Sequence, residues 1–226
     1  MTGPALHAVE LSKSYGDTSA VGPVDLTIEA GQRVVLLGHN GSGKTTLLRI
    51  AAGLLESSTG SVTVFGSPVG SIEARAATSY LGDQPVFYDD LSLREHLEYI
   101  ARLHGRDDWQ QRADDLCDRL GLATRTDDLP STFSRGLRQK AAIALAFVRP
   151  FELLLIDEPF VGLDLAGRSA LLELLDREHR RGAAIVVATH ELGTVAAAQR
   201  LVALRDGAVA YDGPQGAADV DTLVMK

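Results

Sequence analysis

The stretch "GHNGSGKTT", Gly38 to Thr46, limits the possible folds of this chain more than any other. The apolar run "RVVLLG" leads into it and "KTTLLRIAAG", with helical spacing, leads out, so a glycine-rich turn joins a buried strand to a helix. Gly38, Gly43, Lys44 and Thr45 stand at the spacing of the phosphate-binding loop. Glycines allow positive φ and close approach, so that backbone N–H groups from His39, Asn40, Gly41 and Ser42 onward form an anion nest at a helix N-terminus. Lys44 then supplies a point charge at the β and γ phosphates of a nucleotide. Thr45 supplies a hydroxyl for Mg2+, with Thr46 beside it in the first helical turn.

A strand–loop–helix unit needs a sheet to belong to. "RVVLLG", "LLLIDE" and "AIVVAT" are continuous apolar runs, as expected of strands covered on both faces, and should be neighbours in a mainly parallel sheet. "HAVELSKSYG", "VDLTIEA" and "SVTVFG" alternate instead, which predicts an antiparallel β flap at the N-terminal side. From Gln84 to Pro150 the pattern turns helical. "LREHLEYIARLHG" sets Leu93, Leu97, Ile100 and Leu103 on one face before Gly105, and "DDWQQRADDLCDRLG" does the same with Trp109, Ala113, Leu116 and Leu120 before Gly121. The expected fold is an α/β phosphate-loop NTPase core over about 1–83 and 151–226, with an α-helical lobe inserted over about 84–150. At 226 residues and 45% hydrophobic content, one core with a smaller lobe can be buried, and a large multidomain enzyme is excluded.

The apolar strand "LLLID" delivers two carboxylates, Asp157 and Glu158, to the carboxyl edge of the sheet, where open α/β sheets bind ligands. Asp157, at the strand end, is placed to hold the hydration shell of Mg2+. Glu158, one residue on, is placed to polarise an attacking water.

Other partners are disfavoured. A net charge of −8 leaves no electrostatic footprint for nucleic acid. Cys117 is the only cysteine, which rules out an intrachain disulfide, suits a reducing cytoplasm, and reads as a buried small hydrophobe. His7, His96, His104 and His179 are scattered without metal-ligand spacing, so no zinc site is expected. No apolar stretch approaches the ~18 residues of a membrane span and no targeting segment opens the chain, so a cytoplasmic protein without direct membrane insertion is expected.

Phosphate loops and acidic strands occur in many NTPases. What narrows the field is "FSRGLRQK" (Phe133–Lys140) ahead of "LLLIDEPFVGLD", followed by "ATH" after the next strand. This set resembles the ATP-binding-cassette (ABC) ATPases across nearly the whole chain. In that family the signature segment opens a helix and caps the γ-phosphate of ATP held by the opposite subunit, which implies that role for Ser134 and Gly136. Phe133, Arg135 and Leu137 depart from the commonest signature but resemble that of many exporter-type cassettes, and Leu145 stands where an arginine is usual. By the same resemblance Tyr15 stacks on adenine, a buried core tyrosine being the alternative. His190 contacts the γ-phosphate and steadies Glu158, and Asp164 links the two sites of a dimer. In "YLGDQPVFYDDL" the metal-facing glutamine of the coupling loop is assigned to Gln84, as in haem-exporter cassettes, with Asp83 as the other register.

The resemblance implies a Mg2+-dependent ATPase powering a membrane exporter of the type-two or haem-exporter group. Its partners would be separately encoded permease subunits and a second ABC ATPase subunit, and it would sit at the inner face of the membrane. The alternative is a non-transport cassette, serving iron–sulfur assembly or regulating a cell-wall enzyme.

Overall fold

The computed structural model describes residues 3–190 and 198–215, so residues 1–2, 191–197 and 216–226 of the expected core lie outside it. Contacts group the chain into two compact units, Met1–Tyr80 with Phe151–Glu158 and His179–Lys226, and Leu81–Pro150 with Pro159–Glu178. The segment after Glu158, expected with the core, thus groups with the helical lobe.

In the first unit, β1 (Leu6–Tyr15) and β2 (Thr18–Ile28) form a long hairpin; β4 (Thr59–Val64) and the short β5 (Ser67–Pro68) complete an antiparallel sheet of order β2-β1-β4-β5. This is the predicted flap. The larger sheet runs β10-β9-β3-β8-β7-β6, built from β3 (Arg33–Leu37), β6 (Thr78–Leu81), β7 (Leu153–Asp157), β8 (Ala184–Thr189), β9 (Arg200–Arg205) and β10 (Ala208–Pro214). The three continuous apolar runs are its adjacent strands β3, β8 and β7, mutually parallel and buried throughout. β10 returns antiparallel along β9 through the tight turn at Asp206 and Gly207, both with positive φ.

Helix α1 (Lys44–Ala51) buries Leu47, Leu48 and Ile50 in a core shared with Leu6, Leu11 and Ile28 of the flap and Leu36, Leu155 and Val186 of the parallel sheet. Because the register sets Leu37 beside Thr189 and Asp157 beside Ala188, the C-terminal ends of three neighbouring strands finish together. The short α2 (Ile72–Ala77), capped by Ser71, leads directly into β6.

The second unit is helical: α3 (Leu93–Leu103), α4 (Trp109–Leu120), α5 (Arg135–Phe147) and the part of α6 (Leu165–Arg180) up to Glu178. A Ser92–Glu95 capping box starts α3, and Gly121 in a left-handed conformation ends α4. α4 buries Trp109, Ala113, Leu116, Cys117 and Leu120 as its spacing predicts. α3 differs from expectation. Its buried residues are Leu93, His96, Leu97 and Ala101, whereas Leu103 is 62% exposed. Ten residues past Leu93, Leu103 has rotated off the stripe that i, i+3, i+4 and i+8 define. His96 occupies that stripe because both ring nitrogens are satisfied: Nδ1–H donates to the Ser92 carbonyl (2.8 Å) and Nε2 accepts from the Tyr88 N–H (2.8 Å). Charge also joins the helices. Arg112 donates to the Phe147 carbonyl (2.6 Å) and pairs with the buried Glu178 (3.1 Å), while Arg177 reaches Asp115 (2.8 Å). Among the described residues no helix is long and apolar enough to cross a membrane.

Candidate active site

The phosphate loop leaves β3 at Gly38 and enters α1 at Lys44. Gly43 is the N-cap at φ 103°, without a side-chain cap and without an acidic residue in the first turn. Helices α2, α3 and α5 each begin on a capping serine. An uncapped N-terminus keeps its first N–H groups and positive dipole end for an anion. The loop is braced by backbone. Gly207 donates its N–H to the Ser42 carbonyl (3.1 Å) and accepts from the Gly22 N–H (2.8 Å), so the β9–β10 turn ties the loop to β2. A Cβ on Gly43 would come within 2.6 Å of the Ala20 carbonyl oxygen, and one on Gly38 would overlap Ser42 Oγ and the Leu204 carbonyl. The Ser42 hydroxyl is buried with no hydrogen-bond partner among the described residues. A buried hydroxyl without a partner in such a loop fits a phosphate chain.

Lys44 is almost fully buried, and its ammonium donates to the carbonyls of Gly38 (2.7 Å) and His39 (3.3 Å). Burial lowers its pKa, while the charges of Glu158, 3.7 Å away, and Asp157 pull it back up. Asp157 is the last residue of β7 and fully buried. Thr45, half-buried in the first turn of α1, and Asp157 each carry a hard oxygen donor of the kind Mg2+ takes beside phosphates. Glu158 follows at φ +47°, unusual for a non-glycine residue; its N–H is held by the Ala188 carbonyl (2.9 Å). A left-handed residue costs roughly 1–2 kcal/mol, and such strain concentrates at functional sites. Its carboxylate meets His190 Nδ1 at 2.9 Å. The three adjacent strand ends thus assemble Lys44, Asp157, Glu158 and His190 in the first unit.

Elsewhere in that unit, His39 bonds the Asn40 carbonyl through Nδ1 (2.8 Å), and Asn40 and Gly41 are exposed. Tyr15 ends β1 with 54% of its surface exposed and the Lys13 ammonium 5.2 Å from its ring, which rules out the core-tyrosine alternative. Gln84 and Asp83, both exposed, belong to the second unit, as do Ser134, Gly136 and Asp164. Ser134 caps α5, its hydroxyl accepting from the Leu137 N–H (3.3 Å). Asp164 pairs with Lys140 at 3.0 Å. Sequence reasoning missed the Gly207 brace, although the Asp-Gly pair of a tight hairpin is its signal.

The fold and its phosphate loop define a phosphate-loop NTPase, with Glu158 and His190 in hydrogen-bond contact at the strand ends. The family model described as ABC transporter matches residues 21–161, and the chain belongs to this ATPase family, whose members hydrolyse ATP to power transport. The SkfA peptide export ATP-binding protein SkfE of Bacillus subtilis (strain 168) is 33% identical over 210 residues, 92% of this chain and 88% of that protein. The cytochrome c biogenesis ATP-binding export protein CcmA of Xanthomonas axonopodis pv. citri is 36% identical over 187 residues, covering 83% and 87%. A solved ATP-binding subunit of an ABC transporter superposes with a TM-score of 0.91 at 31% identity, over 97% of each chain.

Proposed function

We propose that this chain is the ATP-hydrolysing subunit of a membrane exporter, a single ABC ATPase domain with a core and a helical lobe. It would pair with a second ABC subunit and dock on separately encoded permeases at the inner face of the membrane. The observation that carries the reading is Glu158 held between His190 at 2.9 Å and Lys44 at 3.7 Å, on strand ends that also present a buried aspartate. Export is favoured because the relatives SkfE and CcmA are both named for it.

In this reading ATP lies with its phosphates on the loop Gly38–Thr46 and its base on Tyr15. Mg2+, held by Thr45 and Asp157, would neutralise charge on the phosphates. Lys44 exchanges its carbonyl partners for phosphate oxygens and stabilises negative charge as the γ-phosphoryl leaves. Glu158 accepts the proton of the attacking water, and ATP and water become ADP and phosphate. Because His190 donates Nδ1–H to Glu158, its Nε2 is the nitrogen left to reach the γ-phosphate side. Ser134, Gly136 and Asp164 serve the partner's nucleotide, and Gln84 reports the state of the site to the permease.

The test is purification of the tagged chain from membranes of its native cell. A multi-span membrane protein should come with it, and the complex should hydrolyse ATP faster than the isolated chain, the excess vanishing with Glu158→Gln. Recovery with soluble iron–sulfur scaffold proteins and no membrane protein would overturn the exporter reading.

A further inference from the structure

"FSRGLRQK" carries three cations, and the structure engages each within its own unit. The stem of Arg135 lies on Gly162, where an added Cβ would sit 3.4 Å from Arg135 Cγ. Arg138 reaches the Pro85 carbonyl (3.5 Å) and stands 5.5 Å from the Phe87 ring. Lys140 Nζ touches both carboxylate oxygens of Asp164 at 3.0 Å. Gly136, Gln139 and Lys140 are spaced i, i+3 and i+4, hence on one face of α5. That face is committed to the segment Pro159–Asp164: Gln139, nearly fully buried, donates to the Pro159 carbonyl (3.2 Å), and a Cβ on Gly136 would fall 2.8 Å from the Gly162 carbonyl oxygen.

Two glycines confirm that the contact is built for close approach. Gly136 and Gly167 stand in the first turns of α5 and α6 without positive φ, so a need for left-handed backbone does not explain them. Space does. A Cβ on Gly167 would meet Lys140 Cε at 2.7 Å and Asp164 Oδ1 at 2.9 Å, so a side chain there would push the lysine and aspartate ends out of their present positions. Asp164 in turn accepts from the Gly167 N–H (2.8 Å), while its carbonyl accepts from the Arg168 N–H (2.9 Å), opening α6. The Lys140 ammonium, helped by the Gly167 N–H, holds the Asp164 carboxyl below its ordinary pKa range.

We infer that Lys140 is a positioning residue for hydrolysis, latching Asp164 and with it the segment that follows Glu158 in the chain. The inference rests on the ATPase reading above, with Lys140 touching no nucleotide and acting only through Asp164. Gln139 grips the carbonyl one residue beyond Glu158, and Lys140 fixes the segment's far end, so the chain leaving the catalytic carboxylate is held at both ends by α5. A cassette keeping this latch presents Asp164 to its partner in one orientation.

The test compares Lys140→Met, which keeps the stem and removes the charge, with Lys140→Arg and Asp164→Asn. In nucleotide-free protein, amide exchange at Gly167 should quicken about fivefold in Lys140→Met and return towards wild type in Lys140→Arg, a factor set by loss of one partly exposed ion pair. In Mg-ATP turnover, kcat should fall about fivefold with KM within about twofold, Arg should rescue it, and Asp164→Asn should add little to Lys140→Met. Unchanged exchange in Lys140→Met would remove the latch. Quickened exchange with unchanged kcat, or a loss confined to KM, would remove its role in hydrolysis. If wild-type protein fails to hydrolyse ATP, the functional reading falls instead, and the exchange measurement still decides whether Lys140 holds the segment.

Discussion

Replacing Gly43 by alanine tests whether the phosphate loop works by backbone approach. At φ 103° an L side chain is strained by roughly 1–2 kcal/mol. The new Cβ would also stand 2.6 Å from the Ala20 carbonyl oxygen and 3.3 Å from Val21 Cγ2, and overpacking of this kind costs about 1–3 kcal/mol. Relief requires the loop to retreat from β2, which breaks the geometry that Gly207 braces through Ser42 and Gly22. If about 3 kcal/mol falls on the binding-competent loop, ATP affinity drops roughly 100-fold, at 1.4 kcal/mol per decade. Titration calorimetry with Mg-ATP measures this directly, with thermal unfolding in parallel. Gly66→Ala is the control: φ is +81° but a Cβ there meets nothing within 4 Å, so stability should fall by roughly 1–2 kcal/mol while ATP affinity holds. A Gly43→Ala protein binding ATP within twofold of wild type would refute the close-approach argument.

Tyr15→Ala should weaken ATP about tenfold, the loss of one base–aromatic stack, yet leave inorganic tripolyphosphate unaffected; equal losses for both ligands would reject a base contact. For Cys117, burial pushes the thiol pKa up to about 11. The folded state therefore keeps a proton that the unfolded chain, titrating near the ordinary thiol value of about 8.5, has released, and stability falls as pH rises between about 9 and 11. Thermal midpoints across that window should decline less steeply for Cys117→Ala, and parallel slopes would contradict it.

Strands β3, β7 and β8 were legible as sequence because burial on both faces writes itself as unbroken apolar runs, and their adjacency followed from the phosphate-loop architecture. The flap was legible through alternation, although β2 begins well before "VDLTIEA", at Thr18, where Gly22 and Pro23 interrupt the pattern. On α3 an apolar template chose Leu103 and passed over His96, since a histidine is buried only when both ring nitrogens find partners, and one partner, the Tyr88 N–H, lies in a loop. The residues of the candidate site were nameable one by one, but their distances depended on strand register. Least legible was the packing of "FSRGLRQK" within its own unit. No local pattern announces that Gly136 abuts Gly162 or that Lys140 threads past Gly167 to Asp164. That packing also changes how a signature mutation is read: Gly136→Asp strikes the Gly162 carbonyl inside its own chain before any partner's phosphate is considered.

The central claim is that Glu158 handles the attacking water while the phosphate loop binds ATP independently of it. Phosphate release and Mg-ATP binding should be measured side by side on wild type and Glu158→Gln, which keeps the shape of the side chain and its φ of +47° but replaces the carboxylate facing His190. ATP affinity should stay within about threefold, while turnover falls about 100-fold or more, as expected for loss of a general base. Turnover close to wild type in the variant would contradict the account.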